Sequence, residues 1–234
     1  LEILEEVRDL VPESVFTARF TNPVAGNEDA LRENLREALR LFGEAGYTLD
    51  GTRLVDANDE QFGFEILLNG PTNEPVALHF AENLNAIGAN VTIRTVDSPQ
   101  FVNRVRSFDY DMIYNAWAQS LSPGNEQRYF WGSGSVDDEG GRNYAGISDP
   151  GIDALIEKII LAPDREYLVA ATKALDRVLL AHHFVVPSYT VNYARTARWD
   201  RFSHPETLPE FSIGFPGIWW WDAEKAAATG GTAR

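Results

Sequence analysis

Apolar residues along this chain alternate between helical and strand-like spacing. The first ten residues carry a helical stripe that includes Leu1, Leu4 and Val7. Residues 12–28 have no period and contain two prolines and a glycine, so we expect an extended connection there.

The stretch from residue 28 to residue 114 repeats a helix–strand order. The spacing predicts helices over about Glu28–Ala45, Glu74–Ile87 and Ser98–Val105 (capped by Asp97 or Ser98), and strands over Arg53–Val55, Phe62–Leu68, Val91–Val96 and Tyr110–Tyr114. The first two strands have the pattern of a hairpin around the polar loop at residues 56–60. The order as a whole predicts an α/β sheet with at least some parallel pairing.

The second half of the chain begins as a helical region and ends as an aromatic one. Two helices are predicted, from Ser148–Pro150 to about Leu161 and from Pro163 through Ala181. Phe184–Val191 is predicted to be a buried strand, and its proline favours an edge or crossing position. The segment that follows is rich in aromatic and turn residues and includes three consecutive tryptophans, Trp219–Trp221. Packing is the expected role for one or two of them.

Composition and charge exclude several classes of protein. A hydrophobic content of 44% with six tryptophans argues for a globular protein rather than a disordered one. The formal net charge of −15 makes nucleic acid and anionic membranes poor partners. Since the chain has no cysteine, it has no disulfide, catalytic thiol or thiolate metal site.

Asp109 and Asp111 are the first candidates for chemistry. Two carboxylates on one face of a strand could bind a metal or act as acid and base. We favour the plainer interpretation, a polar strand end paired with Arg104 or Arg106. The common hydrolase and phosphate-binding motifs are absent from the sequence, and no cofactor is predicted.

The stretch Phe108–Trp131 is the strongest candidate for a binding site. It starts as a strand, reaches Trp117 and turns through Ser-Leu-Ser-Pro-Gly-Asn into a polar, aromatic segment. Amides, hydroxyls and one cation around an aromatic ring suit a peptide better than a phosphate. From the residues alone, a simple connecting loop with Trp117 in the core is an equally good interpretation.

Five motifs carry a resemblance to a known family. They are RENLREALRLFGEAGY, NLNAIGANVTIR, YDMIYNAW, QSLSPGNEQR and RNYAGISDPGIDALI, with FSIGFPGIWWWD near the end. Together they resemble the C-terminal half of extracellular solute-binding proteins of the dipeptide and oligopeptide class, which serve ABC importers. The QSLSPGNEQR segment is most similar to the YejA-like branch, which is associated with oligopeptides and the peptide-nucleotide antibiotic microcin C.

The resemblance implies a two-lobed periplasmic binding fold of type II, of which this chain covers one lobe and the C-terminal part of the other. Residues 1–21 would be a connecting segment of lobe I, residues 22–187 would form lobe II, and residues 188–234 would supply a hinge strand and the C-terminal part of lobe I. We expect the chain to be a processed or cleaved piece. Its N-terminal remainder would then be a partner, held in the same chain or, after cleavage, as a second chain.

The resemblance also implies which residues contact the ligand. They are Tyr114, Asn115, Ala116, Trp117, Ala118, Gln119, Ser120, Asn125 and Arg128. The backbone of Ala116 and Ala118 would pair with a peptide as an added β-strand, and Trp117 would form the wall of a side-chain pocket. Many relatives carry, at the position of Ser120, an aspartate that binds the ligand's α-amino group. Asn125 and Arg128 would hold a polar or anionic part of the ligand.

The implied function is that of a periplasmic, non-enzymatic receptor. It would capture oligopeptides or peptide conjugates by lobe closure and deliver them to an ABC permease. Two alternatives stay open: the same fold with a sugar or a metal chelate as ligand, and a hydrolase that uses Asp109 and Asp111.

Overall fold

A three-stranded parallel sheet lies at the centre of the α/β part of the chain. The computed structural model describes residues 1–191, 193, 195–211 and 214–230. The helices within these ranges are α1 Glu2–Glu5, α2 Ser14–Thr17, α3 Glu28–Glu44, α4 Glu74–Ala86, α5 Ser98–Arg106, α6 Glu126–Trp131, α7 Pro150–Ile160, α8 Arg165–Ala181 and α9 Ala223–Ala228. The strands are β1 Thr48–Asp50, β2 Arg53–Val55, β3 Gly63–Asn69, β4 Asn90–Val96, β5 Met112–Ile113, β6 Phe202–Ser203 and β7 Trp220–Trp221.

Strand β3 is the middle strand of this sheet. It pairs in parallel with β4 along its whole length and with β5 at Ile66 and Leu67, which gives the order β4–β3–β5. Helix α4 connects β3 to β4, and α5 connects β4 to β5. Parallel neighbours need such crossovers because the chain must return to the same end of the sheet. The predicted α/β fold with parallel pairing is confirmed.

Both faces of β3 are covered. Ile66 and Leu68 lie on one face against α4, where Ala77 and Ala81 are also buried. Leu67 points to the other face and packs with α5. A strand that is buried on both faces needs a continuous apolar run rather than an alternating one, and the Ile-Leu-Leu run of β3 supplies it.

The helix starts follow the capping residues in the sequence. Asp97 accepts a hydrogen bond from the Gln100 N–H at 2.9 Å, and Asp149 accepts from two N–H groups of the first turn of α7. The cap at Asp97 was predicted, and Asp149 lies within the predicted helix start at Ser148–Pro150. Gly88 follows the C-terminal end of α4. It has φ +94°, and a Cβ there would lie 2.8 Å from the Leu54 nitrogen. A glycine is therefore required at this position.

A second core lies among the N-terminal segment and helices α6 to α8. Ile152, Leu155 and Val178 are almost fully buried there, together with Leu4 of α1 and Val15 of α2. The helical stripe predicted for the first ten residues is confirmed over α1, and a separate 3₁₀ turn follows at Arg8–Leu10. The extended connection predicted from residue 12 is wrong at α2, which forms a helical turn because Val15 is anchored in this core. The division of residues 1–21, 22–187 and 188–234 between two lobes stays a prediction.

The predicted hairpin between Arg53–Val55 and Phe62–Leu68 is formed only at its closed end. The Val55–Gln61 bridge and the hydrogen bonds from the Phe62 N–H to the Leu54 carbonyl at 2.8 Å and from the Asp56 N–H to the Glu60 carbonyl at 3.0 Å join β2 to the segment before β3. From Gly63 onwards β3 pairs in parallel with β4 and β5, and the strand partner of β2 is β1.

The predicted buried strand Phe184–Val191 is also absent. In the described structure no backbone hydrogen bond joins these residues to another strand, and Val186 and Tyr189 are more than 60% exposed. A strand needs a neighbour to satisfy its backbone groups, and Pro187 has no N–H to donate. The hinge strand that the resemblance implies would run over Pro187–Arg195, which includes Asn192 and Ala194, and these two lie outside the described residues.

Asn143 is a buried polar residue that holds the loop after α6. Its side-chain amide donates to the carbonyls of Gly132 and Ile147, and its Oδ1 accepts from the Ile147 N–H at 2.8 Å. The side chain is fully buried. Loss of the two bonds to Ile147 would leave a buried N–H and a buried carbonyl without a partner, whereas the Gly132 carbonyl would keep its bonds from the Ser135 N–H and hydroxyl.

We expect Asn143→Ala to lower the free energy of unfolding by about 2–4 kcal/mol, because it leaves the buried N–H and carbonyl of Ile147 unsatisfied. Asn103→Ala, at an exposed position of α5, is the control and should change it by less than about 0.5 kcal/mol. Urea unfolding followed by tryptophan fluorescence measures both. Equal effects of the two substitutions would contradict this role of Asn143.

Candidate functional site

The chain leaves the sheet immediately after β5. The Tyr114 N–H makes the last ladder contact, a long one of 3.5 Å to the Leu67 carbonyl. Residues 115–125 then form an irregular segment, and Asn115, Ala116 and Ala118 are exposed to solvent. This is the segment that the sequence predicts to contact a ligand.

The backbone of residues 115–120 is almost entirely unpaired. In the described part of the chain, no backbone–backbone hydrogen bond involves these residues. One internal contact exists, from the Ala116 N–H to the Oδ1 of Asn115 at 2.8 Å. The N–H groups of Trp117 and Ala118 and the carbonyls of this segment therefore remain available to another chain.

This unpaired segment continues an open sheet edge. Strand β5 has β3 on one side, and no described strand lies on its other side. An exposed edge can receive an extended peptide as an additional strand. The geometry is therefore compatible with a peptide that lies along β5 and residues 115–120.

Trp117 anchors this segment to the protein interior. Its ring lies 4.7 Å from the ring of Trp131 and 5.4 Å from that of Tyr144, between centroids. Its indole N–H donates to the Arg142 carbonyl at 3.0 Å. The ring is partly buried against the second core, so the structure gives Trp117 a packing role.

A buried amide supports the next part of the segment. Gln127 is almost fully buried and donates to the Oε1 of Gln119 at 2.9 Å. It also accepts from the indole N–H of Trp131 at 3.1 Å. Gln127 was not among the predicted site residues, although a glutamine within an aromatic run is the sequence signal that could have identified it.

Asn125 and Arg128, which the resemblance implies hold a polar or anionic part of the ligand, contact each other and the protein. Arg128 donates through Nε and Nη2 to the carboxylate of Glu157 at 2.6–2.9 Å. Its Nη1 donates to the Oδ1 of Asn125 at 3.0 Å. An anionic ligand group would have to compete with Glu157 for this cation.

A different cation holds the middle of the loop. Arg165, the first residue of α8, donates to the Leu121 carbonyl at 2.6 Å and to the Ser122 hydroxyl at 3.3 Å. The Ser120 hydroxyl accepts from the Ser122 N–H at 3.2 Å. Sequence analysis missed Arg165 because it is separated from the loop by more than forty residues of chain.

Tyr114 connects the end of β5 to the segment after α8. A hydrogen bond between the hydroxyls of Tyr114 and Tyr189 raises the pKa of Tyr189 above its ordinary value. Tyr189 also lines a surface cavity of about 520 Å³ with Tyr193 and Arg195. The end of the sheet and the predicted hinge region are therefore in contact.

Asp109 and Asp111 have structural partners. Asp109 accepts from Arg104 at 2.9 Å, and Asp111 accepts from the Glu65 N–H at 2.9 Å. Arg94 and Arg104 both contact the Glu65 carboxylate and lower its pKa. The plainer interpretation of the two aspartates, a polar strand end paired with Arg104, is confirmed. Within the described ranges, no group of three or more His, Asp or Glu side chains is placed to hold a metal ion.

Comparison with known proteins identifies the family. A sequence profile of bacterial extracellular solute-binding proteins, family 5 Middle, matches residues 8–139, which is more than half of the chain. The chain belongs to this family. The family is one of binding proteins rather than of enzymes, as the sequence predicted, so the hydrolase alternative is excluded.

Two similar relatives are much longer than this chain. Uncharacterized protein y4wM of Sinorhizobium fredii is 54% identical over 229 residues, which cover 97% of this chain and 34% of that protein. Probable peptide-binding protein YejA of Agrobacterium fabrum is 49% identical over 221 residues, which cover 94% of this chain and 36% of that protein. The chain thus spans about a third of the length of the relatives it matches, and the expected resemblance to YejA-like proteins is confirmed.

Solved structures share the fold. The oligopeptide-binding protein AppA of Bacillus subtilis, in complex with a nonapeptide, has a TM-score of 0.57 and 19% identity, with 78% of this chain and 37% of AppA covered. NikZ of Campylobacter jejuni, in complex with Ni(L-His), has a TM-score of 0.56 and 15% identity, with 76% and 36% covered. The expected type II periplasmic binding fold, present in part, is confirmed.

No helix in the described ranges has the length and apolar character needed to cross a membrane.

We expect the double variant Asp109→Asn, Asp111→Asn to keep its ligand affinity within about twofold, because both carboxylates are paired with groups of the protein. Its free energy of unfolding should fall by about 1 kcal/mol or less, since the Asp109 side chain is largely exposed. Glu65→Gln is the comparison variant. It removes a carboxylate shared by two arginines and should cost more.

Binding calorimetry and urea unfolding measure these two quantities. A tenfold or larger loss of ligand affinity in the double variant would contradict the structural role of the aspartates.

Proposed function

We propose that this chain is part of a periplasmic receptor that binds oligopeptides or peptide conjugates and delivers them to an ABC permease. The single observation that supports this best is the open edge formed by β5 and residues 115–120, with unpaired backbone groups at Trp117 and Ala118. Backbone pairing gives affinity for peptides of many sequences, because every peptide carries the same N–H and C=O groups.

The side chains of this segment add polar contacts to the backbone pairing. Tyr114, Asn115, Gln119 and Ser120 offer hydroxyl and amide groups that pair with uncharged polar groups of a ligand. Ser120 is neutral, so it cannot form an ion pair with an α-amino group. The receptor therefore accepts peptides with a blocked N-terminus as well as free ones. This property suits conjugates such as microcin C.

Ligand capture would depend on two lobes. Residues 22–187 would form the lobe that carries the open edge, and residues 1–21 and 188–234 would join the N-terminal remainder of the protein in the other lobe. Large exposed aromatic side chains, among them Trp199, Trp220 and Trp221, support a buried role for the C-terminal region in the complete receptor. The ligand would bridge the two lobes and shift the open–closed equilibrium.

The printed name of the Agrobacterium fabrum relative, a probable peptide-binding protein, also favours a peptide ligand. A sugar or a metal chelate on the same fold remains the alternative. Native mass spectrometry of the full-length receptor separates these classes, because the mass of the co-purifying ligand identifies its chemistry.

We expect Ala118→Pro to weaken peptide binding about tenfold, since it removes an N–H that would pair with the ligand backbone, worth about 1 kcal/mol or more. Ala118→Val is the matched control. Its side chain is similar in size and it retains the N–H, so its affinity should stay within about threefold of the wild type. Calorimetry with the co-purified peptide measures both variants in the full-length receptor.

Thermal unfolding should be carried out on the same samples to establish that both variants fold. Equal affinities of the folded proline and valine variants would contradict strand addition at Ala118.

A further inference from the structure

The side-chain amide of Gln119 is held in one orientation by hydrogen bonds that start in the protein interior. Gln119 lies in the unpaired segment, next to Ala118, and is exposed to solvent. Its Oε1 accepts from the Nε2 of Gln127 at 2.9 Å, and Gln127 is only 4% exposed. A surface amide is therefore bonded to a buried one.

The orientation of the Gln127 amide follows from the chemistry of its two other partners. The indole N–H of Trp131 can only donate, so the Gln127 atom that faces it at 3.1 Å must be the Oε1. The carboxylate of Glu126 lies 3.3 Å from the other end of the amide. An ionised carboxylate can only accept, so this end must be the Nε2. A donor on one side and an acceptor on the other exclude the flipped orientation.

This fixed orientation determines that of Gln119. Because Gln127 presents its Nε2, Gln119 must turn its Oε1 towards Gln127 and its own Nε2 away from it. Among the described residues, none accepts a hydrogen bond from the Gln119 Nε2. A glutamine that is free to turn can offer either an acceptor or two donors, whereas Gln119 offers only its two N–H groups.

The charges around Gln119 favour a neutral acceptor over an anion. The carboxylate of Glu126 and the Gln119 amide both bond to the same nitrogen of Gln127, so they lie close together. The charge of Glu126 and the net charge of −15 oppose a carboxylate or a phosphate at this position. An ammonium group only donates, so it cannot pair with the Gln119 N–H groups. A carbonyl oxygen is an acceptor without charge and meets both conditions.

We infer that Gln127 is a positioning residue, which makes Gln119 a donor to a carbonyl oxygen of the bound peptide. The inference rests on the proposed peptide-binding function and adds a direction to one of its contacts. A peptide that pairs with Ala118 must present a carbonyl, rather than an N–H or an ammonium group, to the Gln119 side chain. Gln127 acts only through Gln119, because it is itself buried.

The probe for this inference is an uncharged pool of pentapeptides. The pool is randomised over alanine, valine, leucine and phenylalanine, acetylated at the N-terminus and amidated at the C-terminus, so that its only polar groups are amide N–H and carbonyl groups. It is titrated into the full-length receptor, and the bound fraction is followed by native mass spectrometry. Thermal unfolding establishes that each variant is folded.

We expect Gln119→Ala to weaken binding of the pool about tenfold and Gln127→Met about fivefold, since each removes or disorients one hydrogen bond. The double variant should bind about tenfold more weakly than the wild type, rather than about fiftyfold, because Gln127 acts through Gln119. Gln119→Glu keeps an acceptor for Gln127 but presents oxygen instead of N–H to the peptide. It should weaken binding more than Gln119→Ala does, and at its exposed position it does not depend on the folding of the Gln127 variant.

Asn103→Asp is the control for charge. It adds one negative charge at an exposed position of α5 and should leave the affinity within about twofold of the wild type. The inference is overturned if Asn103→Asp weakens binding as much as Gln119→Glu does.

Three other results would also overturn the inference. Gln119→Ala could bind like the wild type, or Gln119→Glu could bind as tightly as the wild type or more tightly, which would mean that the peptide offers a donor. Gln127→Met could weaken binding by the same factor with and without Gln119, which would make Gln127 a support of the whole segment. Each of these results, with the pool bound to the wild type, leaves the proposed function standing. No binding of the pool to the wild type overturns both.

Discussion

The burial of β3 on both faces is the constraint on which the rest of the site depends. Leu67 and Leu68 point to opposite faces and are completely buried, so β3 must lie in the middle of the sheet with a helix on each side. Its two parallel neighbours, β4 along its whole length and β5 at Ile66 and Leu67, then lie on its two sides. Because β5 is the last strand to join, it lies at the edge, and the chain that follows it leaves the sheet with its backbone groups unpaired.

The unpaired segment is held in place by side chains rather than by its backbone. The Trp117 indole is fixed by a stack of aromatic rings and by the Arg142 carbonyl, and Gln127 supports Gln119 from the interior. Arg165 then fixes the Leu121 carbonyl. Side-chain anchoring leaves the main chain ordered but free, which lowers the entropic cost of pairing with a ligand. Binding sites in this arrangement recognise a backbone first and side chains second.

The sequence predicted the helices and strands whose formation depends on residues nearby in the chain. Capping at Asp97, the helix start at Ser148–Pro150 and the apolar run of β3 were recognisable because each signal lies within a few residues of the structure it specifies. The partner of β2 and the state of Phe184–Val191 were not predictable, since strand pairing depends on which neighbours remain free after the rest of the sheet has formed. The same holds for the site. The position of Trp117 was predicted, whereas the role of Arg165 depends on a contact between distant parts of the chain.

Amide hydrogen exchange tests the central claim most directly. Without ligand, the N–H groups of Trp117 and Ala118 should exchange rapidly, because nothing in the described structure accepts them. Saturation of the full-length receptor with its co-purified peptide should slow their exchange by about tenfold or more, since each would then be held in a strand ladder. Unchanged exchange at both positions in a receptor that is saturated with peptide would contradict the account.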